Sequence, residues 1–144
     1  PATLQDFVWW SGLSVTEAKQ GIYLIGSELT EEQWKGQTWY LHESGRTRGS
    51  IKGHIRFLPP YDELLLGYKD RTDVLPSEHY SKAFTRNGLF FPVILYEGQI
   101  VGNWDRKVKR NGCGPWCSLF RQESRIDEAL LDKAQQQYMQ FLGK

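Results

Sequence analysis

Cysteine and net charge are both scarce in this sequence. Two cysteines, Cys113 and Cys117, stand four apart in CGPWC, and a chain of 144 residues with 40% hydrophobic residues buries enough core to need no disulfide framework. A structural zinc takes four ligands, and His42, His54 and His79 are scattered without ligand spacing, so neither a metal nor a cofactor is expected. Basic residues number 18 and acidic residues 17, a formal charge of +1. Overall charge therefore says nothing about nucleic acid, and only local clustering can. The longest apolar run, Leu89 to Tyr96, is too short for a bilayer and is broken by Pro92. No membrane segment is expected, and the cytoplasm is the default compartment. The chain begins at Pro1, with no initiator methionine, basic n-region or apolar h-region, and is expected to be an excised fragment with sequence upstream.

Local signals are strong at the N-terminal end. Thr3 with Asp6 forms one capping box and Ser14 with Glu17 a second, each leading an apolar stripe: Leu4, Phe7 and Val8, then Val15, Ala18, Ile22 and Ile25. Gly12 separates the two helices, which have the order of a helix-turn-helix. Two strands around Lys35-Gly36 follow, carrying Trp34, Trp39 and Tyr40. Helix, helix and hairpin is winged-helix order without its usual first helix. Residues 42–53, HESGRTRGSIKG, are polar and rich in glycine and serine, which marks an internal boundary.

Beyond the boundary, HIRFLPPYDELLLGY gives a strand ending at Pro59-Pro60 and a short apolar segment, and Ser77 to Phe84 a short helix. LFFPVILYEGQIVGNW reads as two strands joined by Glu97-Gly98, and WCSLF as a third after Gly112-Cys113-Gly114-Pro115. The chain ends in a helix capped by Ser124, with Ile126, Leu130, Ala134, Tyr138, Phe141 and Leu142 on one face.

Three stretches in order, DFVWWSGLSVTEAKQGI, FLPPYDELLLGYKDR and NGLFFPVILYEGQIVGNW, carry a tryptophan pair, a P-x-D-E-x-L-L-G-Y-x-D-R pattern and a V-G-x-W ending. In these the chain resembles the C-terminal part of the winged-helix proteins related to bacterial DNA glycosylases that excise alkylated or cross-linked bases. The resemblance implies an α+β fold: a partial winged helix (helix-turn-helix plus wing), residues 1–45, followed by a small β-rich, barrel-like domain with a C-terminal helix, residues 46–144. Family catalysis resembles water activation by a Gln-x-Gln or Gln-x-Asp pair in upstream units. Gln135-Gln136-Gln137 has the letters but lies on the terminal helix, so no catalytic residue is assigned and the fragment is expected to be inactive alone. Double-stranded DNA, contacted together with upstream domains, is the partner implied.

Two clusters suit phosphate contacts. Arg46, Arg48, Lys52 and Arg56 contain no acid among them, and Arg106, Lys107, Lys109 and Arg110 stand against Asp105 alone. Equally open are a solvated linker for the first and a lysine-protected strand edge for the second. On the second helix only Lys19 and Gln20 suit base edges or phosphates, which favours an architectural helix. A protein-interaction or scaffold domain without nucleic-acid contact is the alternative function. Six tryptophans suggest base stacking, but core burial is the expectation for most of them. In YDELLLGYKDR, Asp62 and Glu63 are adjacent on what reads as an extended segment and so diverge. Asp62 with Arg71 is expected to form a structural corner rather than an acid/base pair.

Overall fold

The structure, a computed structural model, describes residues 1–45, 49–109, 112–121 and 126–143. The chain folds into two units, Pro1–Ser50 with Glu63–Asp70, and Ile51–Asp62 with Arg71–Lys144.

The first unit holds β1 (Ala2–Thr3), α1 (Leu4–Ser11), α2 (Val15–Ile25), β2 (Leu29–Trp34), β3 (Gln37–His42) and α3 (Glu63–Leu66). Both capping boxes form. Thr3 Oγ1 accepts from Asp6 N at 3.2 Å while Asp6 Oδ2 accepts from Thr3 N at 3.0 Å, and Ser14 and Glu17 repeat the exchange at 3.3 and 2.8 Å. Gly12 ends α1 at φ 71°, in the left-handed region that glycine adopts without strain. Lys35 and Gly36, at φ 50° and 73°, make the two-residue turn between β2 and β3, whose two left-handed residues match strand twist. Helix, helix and hairpin thus stand in the expected order. A strand the sequence did not signal, β1, pairs with β3 (Ala2 opposite Tyr40) and completes a sheet of order β1-β3-β2.

Asp6 also ties Glu63–Asp70 to this unit. Its Oδ2 accepts from Thr3 N and Oγ1, and its Oδ1 accepts from Lys69 N at 3.0 Å. Trp9 Nε1 donates to Leu66 O and Tyr68 Oη to Pro1 O, each at 3.0 Å. Asp6→Ala removes the reciprocal half of the capping box, leaving Thr3 N without its acceptor, and strands the Lys69 amide. We expect a loss of about 2–3 kcal/mol in urea unfolding; a loss below about 0.5 kcal/mol would reduce Asp6 to a surface role.

The second unit holds β4 (Ile55–Leu58), α4 (Tyr80–Ala83), β5 (Val93–Tyr96), β6 (Gln99–Lys109), β7 (Gly112–Leu119) and α5 (Glu128–Phe141). The β5–β6 turn is Glu97-Gly98 as expected, at φ 49° and 80°. Three expectations are corrected. The barrel-like domain is an open antiparallel sheet of order β4-β5-β6-β7, with no closed barrel among the described residues. α5 packs on β4 and β7, so the sheet's apolar face is buried by a helix and not by closure. The third strand starts at Gly112 and not at Trp116; Pro115 is accommodated because β7 is the edge strand. The helix cap is Asp127, whose Oδ1 accepts from Ala129 N at 2.9 Å, while Ser124 lies outside the described residues. Ile126 precedes the helix and joins Ile55, Ile94 and Ala134 in the core, with Phe57, Trp104 and Leu130 packed around them.

Candidate nucleic-acid interface

β6 is longer than its neighbour β5. Pairing with β5 runs from Gln99 to Asn103, opposite Tyr96 to Val93, whereas pairing with β7 continues through Trp104 to Lys109. The outer half of the β6–β7 hairpin is therefore a two-stranded arm. Its root is held by Asn103 Nδ2, which donates to Pro92 O at 3.0 Å, and by Trp104 Nε1, which donates to Leu58 O at 2.8 Å. Trp104 packs there against Phe57 and Tyr138. Gly102, buried in β6, leaves room for β7: a Cβ at that position would stand 2.5 Å from Ser118 O. The V-G-x-W motif thus builds the root of the arm.

The arm carries the second basic cluster. Exposed Arg106 lies opposite Pro115, Lys107 opposite Gly114 and Lys109 opposite Gly112 in the register of β6 with β7. Arg110 lies outside the described residues. Of the first cluster, Arg46 and Arg48 also lie outside them. Lys52 is exposed before β4, and exposed Arg56 lies on β4 with its Nη1 donating to Ile55 O at 2.9 Å. In the sheet order β5 stands between β4 and β6, so the two clusters occupy separate strands. Lys19 and Gln20 are exposed on α2 in the other unit. The turn of α2 that follows them is apolar: Tyr23 is 83% exposed and Leu24 74%.

A third group has no counterpart in the sequence reading. Lys82 Nζ stands 5.3 Å from the Phe120 ring and donates to Phe120 O, Arg121 pairs with Glu78, and buried His79 lies tilted on Phe120 with centroids 5.1 Å apart. The Arg121 guanidinium holds the Glu78 carboxyl below its ordinary range. No local pattern joins residues 78–82 to 120–121; only the folded sheet does.

The tryptophans depart from the expectation of burial. Trp9, Trp10, Trp34 and Trp116 are exposed, four of the six, and Trp104 is the one that packs against the core of the second unit. The segment around Asp62 is also not extended: Glu63 opens the helical turn α3, in which Gly67 N donates to Glu63 O at 2.8 Å. Arg71 is buried, its guanidinium 5.2 Å from the Phe84 ring and 5.8 Å from that of Phe90, where Tyr61 also packs. Among the described residues no group of three or more histidine, cysteine or acidic side chains is placed to hold a metal. Cys117 is a free thiol whose burial pushes its pKa up, and Gln135 donates to its Sγ at 3.8 Å. No described helix is long and apolar enough to cross a membrane.

A family model described as DNA glycosylase AlkZ-like matches residues 1–141. An interstrand DNA cross-link repair glycosylase of Streptomyces sahachiroi is 30% identical over an alignment of 112 residues that covers 73% of this chain and 30% of the relative. The solved structure of Streptomyces sahachiroi DNA glycosylase AlkZ has the same fold, with a TM-score of 0.75 at 24% identity over 93% of this chain and 37% of that one. The chain therefore spans about a third of the length of these relatives.

Proposed function

Because this chain belongs to the AlkZ-like DNA glycosylase family, we propose that it serves as a noncatalytic, DNA-contacting support within a longer repair glycosylase. Residues 1–45, to which Glu63–Asp70 is tied, act as a partial winged helix, and the remainder of residues 46–144 as the β-rich module that follows it. The observation that carries the reading is the two-stranded arm with Arg106, Lys107 and Lys109 beyond the sheet. Cations on such an arm reach the backbone of double-stranded DNA and release its counterions, which gives affinity without sequence choice. Arg110, Arg46, Arg48, Lys52 and Arg56 add to the same field. Asp62 and Arg71 serve as a structural corner, and the cytoplasm is the compartment. Binding of the 144-residue chain to a fluorescent duplex tests this. With three phosphate contacts the slope of log affinity against log salt is about −2.7, so affinity falls roughly 40-fold between about 50 and 200 mM salt. Binding that ignores salt would refute phosphate contact.

A second reading, an interaction or scaffold role, is favoured for α2 by the exposure of Tyr23 and Leu24 beside Lys19 and Gln20. On that reading Lys19→Glu leaves DNA affinity unchanged.

A further inference from the structure

The first unit has an open groove of about 240 Å³ lined by Ala2, Asp6, Phe7, Trp10, Glu63, Gly67 and Tyr68. Its chemistry is one-sided. Three of the lining side chains are aromatic, two are carboxylates and none is a cation. Asp6 is 4% exposed, and its donors are the neutral Thr3 N, Thr3 Oγ1 and Lys69 N, with no ion-pair partner among the described residues. Glu63 is exposed and likewise has no ion-pair partner among the described residues. A buried carboxylate without a counter-ion is costly and attracts a cation.

The field of Asp6 reaches the groove: burial first, and the Asp6 charge second, push the Tyr68 phenol above its ordinary pKa. The Trp10 ring is 62% exposed and stacks on Phe7 at 6.4 Å between centroids, so its free face is open to a ligand. Gly67 also lines the groove. A Cβ there would stand 2.9 Å from Glu63 O, so glycine lets the α3 turn close, and 3.7 Å from both Trp10 Cδ1 and Glu63 Oε2, which border the groove on either side.

We propose that this groove binds the guanidinium group of an arginine-bearing peptide, stacked on Trp10 and paired with Glu63. A flat, delocalised cation suits an aromatic face beside a carboxylate better than a compact ammonium does. A phosphate would meet two negative charges, so the site is unrelated to the DNA-contacting arm and stands or falls independently of it.

The test is titration of the 144-residue chain with N-acetylarginine amide, followed by NMR of the Trp10 indole N–H and the Gly67 amide. N-acetylcitrulline amide, which has nearly the same shape without the charge, is the control. Arginine is expected to move both resonances and citrulline to leave them in place. Glu63→Gln, an exposed change, weakens the effect about fivefold, and Trp10→Ala does so by a similar factor. Equal shifts with citrulline, no saturable shift with arginine, or undiminished binding by Glu63→Gln would each overturn the assignment. Tighter binding of the cationic nucleoside 7-methylguanosine than of the arginine amide would move the site from peptide to nucleobase recognition and overturn it as stated.

Discussion

Replacing Arg106, Lys107 and Lys109 together by glutamate is expected to weaken binding to duplex DNA about 100-fold at roughly 50 mM salt and to remove most of the salt slope. Each phosphate contact contributes about one unit of that slope, and reversal adds repulsion to the loss. The effect is concentrated because the three residues share one strand of an arm that pairs with β7 alone. Fluorescence anisotropy at several salt concentrations measures both quantities. Parallel urea unfolding separates a binding effect from a folding one. An unchanged slope would leave β6 and β7 a structural hairpin and shift weight to the interaction reading of α2.

Gly102→Ala is expected to destabilise the second unit by about 2–3 kcal/mol, a drop in melting temperature of roughly 5–10 °C. The added Cβ would stand 2.5 Å from Ser118 O and 3.0 Å from Leu119 Cα. Both are backbone atoms of β7, which cannot swing aside as the end of a flexible side chain can. The strand pair must open where Gly102 faces Leu119, at the root of the arm. Calorimetry checks the stability, and the same variant is expected to lose DNA affinity because the arm is set at a different angle. Gly49→Ala is the control: nothing lies within 4 Å of its Cβ and no left-handed φ is required there. A melting temperature for Gly102→Ala equal to that of Gly49→Ala would mean that the sheet yields without cost.

The features legible in the sequence are those whose determinants lie within a few residues of one another. Thr3 with Asp6 and Ser14 with Glu17 encode helix starts because donor and acceptor are three residues apart. Lys35-Gly36 and Glu97-Gly98 encode hairpins because a two-residue turn needs left-handed backbone at both positions. The basic residues of the arm are equally local, legible as a run of cations without knowledge of any strand. Where the arm begins was not legible, since that depends on where β5 stops pairing.

The rest required partners distant in the chain. β1 is two residues long and exists through β3; Asp6 reaches Lys69 N; Lys82 and His79 meet Phe120. No period of 2 or 3.6 reports such meetings. Tryptophan type alone also does not set burial, because an aromatic ring is covered only where a second element arrives to cover it. By itself the sequence determined the helix caps, the turns and the positions of the charges. Tertiary structure decided that the sheet stays open under α5, that four tryptophans remain outside, and that a buried carboxylate stands beside an exposed aromatic ring. Caps and turns are settled by hydrogen bonds within one turn of chain, whereas burial and electrostatic fields are sums over neighbours that only the fold assembles.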